Sequence, residues 1–155
     1  MNINVNNLSK KFNNFLAVDN ISFSLDKNKT LGLLGPNGCG KTTTIGMLLG
    51  LITPSNGEIL INNKNISKSN RNDLLSKMNF ASPYIELPKK LTVKQNLEVY
   101  GRLYGVNDLR YRVSEISEDL DLNNFLNKKT GELSSGQKNR VSLAKSLINK
   151  PEILF

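Results

Sequence analysis

The sequence predicts an α/β fold: a strand-rich first third, then a mainly helical stretch. Three observations carry this. Ile3 and Val5, then Ile21, Phe23 and Leu25, alternate with polar residues, the period of half-buried strands. The segments "TVKQNLEVYGRLYGV" and "LRYRVSEISEDLDL" repeat their apolar residues at helical spacing. The last residues, Ile153-Leu154-Phe155, form a short apolar run that reads as the opening of a buried strand. Strands, then helices, then a strand imply an α/β core carrying a helical insertion.

The elements follow in order. "TLGLLG", Thr30 to Gly35, is a continuous apolar run and predicts a strand covered on both faces. The helix after it begins near Lys41, with Ile45, Leu48 and Leu49 at helical spacing. "TPSNGE" is a turn by its Pro, Asn and Gly, and "EILI" a short strand. From about Arg71 the texture changes. Thr92 is the predicted N-cap of a helix that aligns Val93, Leu97, Tyr100 and Tyr104. Val113, Ile116 and Leu120 form the stripe of a second helix. A third, from about Gly136 to Ile148, is led by Val141, Ala144 and Ile148. The expected organisation is one domain over 1–155. Within it lie a β-rich part (1–70), a mainly helical part (71–150) and the start of a strand (151–155).

Composition narrows the chemistry. Lys and Arg number 21 against 13 Asp and Glu, a net charge of +8 that favours polyanionic partners. Its basic residues do not form one block, so a solvated surface accounts for the charge as well. Cys39 is the only cysteine and there is no histidine, which excludes an internal disulfide, a multi-cysteine metal site and His-based catalysis. The first residues contain no apolar core of signal-peptide length. The longest apolar stretch, "IGMLLGLI", falls far short of the roughly 20 residues of a membrane span. The expected location is cytoplasmic.

The chemistry is concentrated in "LGLLGPNGCGKTTTIGMLLG". Gly35, Gly40, Lys41 and Thr42 fit G-x-x-x-x-G-K-[ST], with an apolar run before and a helix after. Gly35, Pro36, Asn37, Gly38, Cys39 and Gly40 form a loop whose glycines let successive N–H groups turn inward as a nest for oxyanions. The helix from Lys41 through Thr42 and Thr43 adds the positive end of its dipole. Lys41 can reach the β- and γ-phosphates, and the Thr42 hydroxyl can ligate Mg²⁺. Cys39 reads as a small residue facing away from the phosphates. The loop alone does not choose among kinases, GTPases and motor ATPases.

A second motif chooses. "GELSSGQKNRVSLAKSLINKPEILF" resembles the signature segment of ATP-binding-cassette (ABC) ATPases, "LSGGQ" followed by a helix and then the Walker B strand. Leu133, Ser134, Gly136 and Gln137 match; Ser135 stands where Gly is more usual. A Ser hydroxyl at a helix N-terminus makes a second phosphate site. The resemblance extends over essentially the whole chain. It implies a P-loop NTPase core with an N-terminal antiparallel β part and a helical signature subdomain, incomplete at the C-terminus. It also implies a transporter ATP-binding subunit whose cofactors are ATP and Mg²⁺. In that family two nucleotide domains face head to tail, so Leu133 to Gln137 would serve the ATP of a second subunit. "LSKKFNNFLAVDNISFSL" looks like the family's opening, where Phe12 would stack on adenine with Val18 nearby; the other reading of Phe12 is a core aromatic. "LTVKQNLEVYGRLYGV" looks most like the exporter branch. The partners implied are transmembrane permease subunits, with this chain peripheral on the cytoplasmic face and nucleic acid not its target.

Two departures qualify the resemblance. The family's Gln between Phe80 and Leu91 is missing; Ser82 is the first stand-in by position and Glu86 the second, while Gln95 lies too far along. No catalytic residue lies within the chain: the Walker B Asp and its neighbouring Glu, and the switch His, would all follow Phe155. The expectation is an N-terminal fragment of a longer cassette. The alternatives are a soluble ABC ATPase acting on nucleic acid or ribosomes, and a non-hydrolysing nucleotide-binding module. The 155-residue chain alone is expected to bind Mg-nucleotide weakly and hydrolyse it poorly. A steady-state ATPase rate of about 1 per second or faster would overturn this.

Overall fold

Two long strands open the chain. β1 (Ile3–Phe12) and β2 (Phe15–Leu25) pair antiparallel, β3 (Asn56–Ile61) takes the other edge of β1, and β4 (Lys64–Asn65) follows β3. The register sets Ile3 opposite Leu25 and Ile61, and Val5 opposite Phe23 and Ile59. Directly opposed residues share a face, and Ile3, Val5, Ile59 and Ile61 are almost fully buried on it. The computed structural model describes residues 1–66, 71–82 and 86–155. It divides into two compact units, Met1–Leu75 and Ser76–Phe155. Residues 67–70, at the expected 70/71 boundary, lie outside the described residues.

Asparagine shapes the first unit. Asn7, Asn13, Asn20, Asn62 and Asn63 all take positive φ, a region that asparagine tolerates better than most residues. Asn62 and Asn63 sit between the paired Ile61 and Lys64. Positive φ at both makes the tight turn whose hand matches strand twist. Asn7 falls where the β1–β2 register shifts between Val5 and Leu8.

α1 (Lys41–Leu48) buries Thr44, Gly46, Met47 and Leu48. Met47, at 0% exposure, is its deepest apolar residue. Its C-terminal carbonyls are satisfied by Gly50 N donating to Met47 O at 3.0 Å and Leu51 N to Gly46 O at 2.8 Å, around a left-handed Gly50. The guanidinium of Arg71, the first residue of α2 (Arg71–Ser76), donates to the Gly50 carbonyl.

Residues 30–35 do not form the expected strand. They are irregular and exposed, Leu34 at 92%. A strand needs neighbours for its backbone groups, and among the described residues no strand pairs with this segment. An apolar run states a preference for burial without supplying a partner.

In the second unit α3 (Val93–Leu103), α4 (Leu109–Asp119) and α5 (Ser135–Leu147) surround Val93, Leu97, Val113, Ile116, Val141, Ala144 and Ile148. Thr92 caps α3 as expected. Its Oγ1 accepts from Gln95 N at 3.1 Å, and its N donates to Gln95 Oε1 at 2.9 Å. Tyr104 leaves the expected stripe: it is exposed, its hydroxyl donating to Asn79 Oδ1 at 3.3 Å. The C-terminal apolar run does form a short strand, with Ile153 buried and Leu154 exposed. β6 (Ile153–Leu154) pairs in parallel with β5 (Met78–Asn79).

An ion network joins α4 to the exit of α5. Arg112 Nε donates to Ile148 O at 3.1 Å, its guanidinium also reaches Leu147 O, and Nη1 meets Glu115 Oε2 at 2.7 Å. Lys150 Nζ lies 3.0 Å from the same carboxylate. The hydrogen bond from Arg112, and then that from Lys150, hold the Glu115 carboxyl below its ordinary range. A depressed carboxyl pKa stabilises the fold above the unfolded value of about 4.3, and that stabilisation is lost as pH falls through the folded value. Glu115→Gln is expected to lower the melting temperature at pH 7, with the gap to wild type closing between about pH 5 and 3. Thermal melts across that range check it; a gap independent of pH would refute it.

Candidate nucleotide site

The loop 35–40 meets the rest of the first unit at Gly40. Its φ is +90°, and a Cβ there would lie 2.3 Å from Ala17 O and 3.0 Å from Val18 Cγ2. Only glycine fits, on both counts. β2 therefore backs the loop directly. Val18 is buried and touches Gly40 from below. Nothing in the sequence marks Ala17 for this contact, because it acts through its carbonyl.

Gly35, Pro36, Asn37, Gly38 and Cys39 are exposed, the loop tightened by Cys39 N donating to Pro36 O at 3.3 Å. Lys41 Nζ curls back into this loop and donates to Gly35 O and Pro36 O, both at 2.7 Å. The Sγ of Cys39 lies 3.7 Å from Lys41 Nζ and fills the space beside Gly35. Thr42 is exposed, and no hydrogen bond among the described residues engages its hydroxyl. Thr43 is half-buried, and Thr44 N closes the first helical turn on Gly40 O at 2.8 Å. The first turn of α1 carries no acidic side chain, so nothing on the helix itself offsets its positive end.

Phe12 ends β1 and is 44% exposed, which removes the core-aromatic reading. Lys10 Nζ stands 4.9 Å from the centroid of its ring and donates to Thr53 O at 2.8 Å. Sequence reasoning did not single out Lys10.

In the second unit, Leu133 is buried and Ser134 is the N-cap of α5. Ser134 Oγ accepts from Gln137 N at 3.3 Å, and Gln137 Oε1 accepts from Ser134 N at 3.0 Å. This cap uses an acceptor site of the hydroxyl and leaves its O–H to donate. Ser135 and Gly136 are exposed in the first turn, and a Cβ on Gly136 would meet nothing within 4 Å. Nothing else among the described residues requires glycine at 136.

Ser82, Glu86, Leu133 and Ser135 line one pocket of about 270 Å³, floored by Val141. Residues 83–85, within the stretch that lacks the expected Gln, lie outside the described residues. Glu86 is engaged by Lys89 at 2.9 Å, which holds its carboxyl below the usual range. Gln95 is committed to the α3 cap.

With this geometry in view, the likenesses to known proteins fall into place. The ABC transporter family profile matches residues 18–155. The chain is 35% identical over 155 residues to the "Probable multidrug ABC transporter ATP-binding protein YbhF" of Escherichia coli, covering 99% of this chain and 27% of that one. It is 38% identical over 153 residues to the "Zinc import ATP-binding protein ZnuC" of Rickettsia bellii, covering 99% and 60%. The ADP conformation of MJ1267, an ATP-binding cassette of an ABC transporter, superposes with a TM-score of 0.85 at 27% identity, over 99% of this chain and 67% of that one. The chain spans 27% and 60% of the length of these two curated relatives. Phosphate-loop geometry, a capped signature segment and a profile match over 18–155 agree: the chain belongs to the ABC transporter family, in its ATP-binding domain.

Proposed function

We propose that the chain grips ATP-Mg²⁺ and that, in the complete protein, ATP closes a head-to-tail pair of such domains. Its hydrolysis then drives a solute through partner transmembrane subunits. The observation that carries this reading is the loop 35–42. Lys41 Nζ is held there by two neutral carbonyls, at the positive end of α1, on a backbone that Gly40 seats against β2. Incoming phosphate oxygens are better partners for an ammonium than carbonyls are, because the hydrogen bond becomes charge-assisted. Lys41 exchanges the carbonyls of Gly35 and Pro36 for phosphate, while the N–H groups of Gly38 and of Gly40 to Thr43 take the remaining oxygens.

Mg²⁺ binds phosphates with one or two protein oxygens and several waters, so the unengaged Thr42 hydroxyl fits as a protein ligand. When bound, the ion neutralises charge on the phosphate oxygens. Phe12 offers an exposed ring to the base, and Val18 supports the loop from beneath. Leu133 to Gln137 act in trans: Leu133 anchors the segment, the Ser134–Gln137 cap orients it, and the Ser134 O–H and the open backbone at Ser135 and Gly136 meet the second subunit's nucleotide.

No helix among the described residues is long and apolar enough to cross a membrane, and this reading assigns the crossing to permease subunits, with the domain on the cytoplasmic face. The helix texture of "LTVKQNLEVYGRLYGV" supports the exporter branch; the relatives include the ATP-binding protein of a multidrug transporter and that of a zinc importer.

Lys41→Met is expected to weaken ATP binding by the chain about tenfold or more, since it removes a charged hydrogen-bond donor. An NMR titration reads this, and an unchanged dissociation constant would refute the loop's role. Gly136→Asp separates fold from function. The side chain has open space, and a carboxylate in the first turn of a helix stabilises it by about 0.3–1 kcal/mol. Thermal melts are expected to show equal or higher stability. Sedimentation of the complete protein with ATP is expected to show lost pairing, because the same carboxylate faces phosphate in trans. Normal pairing would remove the signature's trans role.

A further inference from the structure

We propose that Lys10 is a positioning residue for the nucleotide base: it backs one face of the Phe12 ring and leaves the other for stacking. This rests on the nucleotide reading above and adds a residue to it. Four observations converge. Phe12 is the last residue of β1 and is 44% exposed, so packing alone does not hold its ring. Lys10 Nζ lies 4.9 Å from the ring centroid, within the distance at which an ammonium is attracted to an aromatic face. The amine is itself anchored, donating to Thr53 O at 2.8 Å. Among the described residues no carboxylate pairs with Lys10, so its charge stays available to the ring.

The physical consequence is specific. A cation over one face occupies that face. A flat heterocycle then has the other face of Phe12 on which to stack, and the ring is already oriented when it arrives. Preorganisation of this kind raises affinity by reducing the freedom lost on binding. Thr53 follows the exit of α1, so its carbonyl links the ring to the same segment of chain that carries the phosphate loop. Lys10 touches neither phosphate nor base in this arrangement; it acts through Phe12.

Binding of ATP and of inorganic tripolyphosphate to the chain, both with Mg²⁺ and followed by NMR titration, tests this. Tripolyphosphate engages the loop without using the ring. Lys10→Met is expected to weaken ATP binding about threefold to fivefold and to leave tripolyphosphate binding where it was. Lys10→Arg, which keeps a cation over the ring, is expected to restore ATP binding. In a Phe12→Leu background, Lys10→Met is expected to have no further effect on the ratio of the two affinities. Equal loss for both ligands would overturn the proposal in favour of general attraction to phosphate. No loss for either, or an undiminished Lys10 effect without Phe12, would overturn it too. Wild-type chain that bound neither ligand would overturn the nucleotide reading itself, and this proposal with it.

Discussion

The contact between Gly40 and the Ala17 carbonyl sets the position of the loop. A Cβ at residue 40 would come within 2.3 Å of that oxygen. There is no room for any side chain, so the backbone of 39–41 lies directly on β2. The loop and the start of α1 inherit their position from there. Lys41 follows Gly40 and starts α1; the helix's first N–H groups face the loop because Gly40 turns the chain at φ +90°. The far end of α1 is held separately, by Gly50 and the guanidinium of Arg71. A short helix of eight residues has little stability of its own. It depends on these two end contacts and on burial of Met47 and Leu48.

The same local device appears twice in the second unit, with different consequences. Thr92 with Gln95 and Ser134 with Gln137 both form reciprocal caps. At Thr92 the surroundings absorb the cap into the fold: Val93 N and Lys94 N donate to Lys128 O and Leu126 O, and Thr130 Oγ1 reaches Pro88 O at 2.8 Å. At Ser134 the turn that follows is bare, with Ser135 and Gly136 exposed and open. One cap is absorbed into its unit. The other stands at a helix start left open to solvent.

These contrasts explain what could be read in the sequence. α3, α4 and α5 were legible because amphipathic period and cap are local properties. The Thr92 cap and the buried set Val93, Leu97, Val113, Ile116, Val141, Ala144 and Ile148 follow directly from them. The loop 35–42 was legible because its glycines take backbone conformations that favour glycine and, with Lys41 and Thr42, stand at a fixed spacing. Residues 30–35 were misread because strand formation is a property of two segments, and an apolar run specifies only one of them. Ala17, Arg71 and Lys10 were invisible for a related reason. Each acts on or through a backbone carbonyl across many residues, and a carbonyl has no letter in the sequence.

The cations of the chain divide by what they face. Arg112 and Lys150 share the Glu115 carboxylate, and Lys89 pairs with Glu86. These charges are cancelled locally and serve the helical unit. Lys41 and Lys10 are held instead by the carbonyls of Gly35, Pro36 and Thr53. A carbonyl orients an ammonium without neutralising it, so the positive potential survives for an incoming anion. Segment 35–43 contains no acidic residue to oppose it. The net charge of +8 is therefore a poor guide by itself: a carboxylate acceptor cancels a cation where it stands, whereas the carbonyls around Lys41 leave its charge uncancelled, and Lys10 directs its charge at the Phe12 ring.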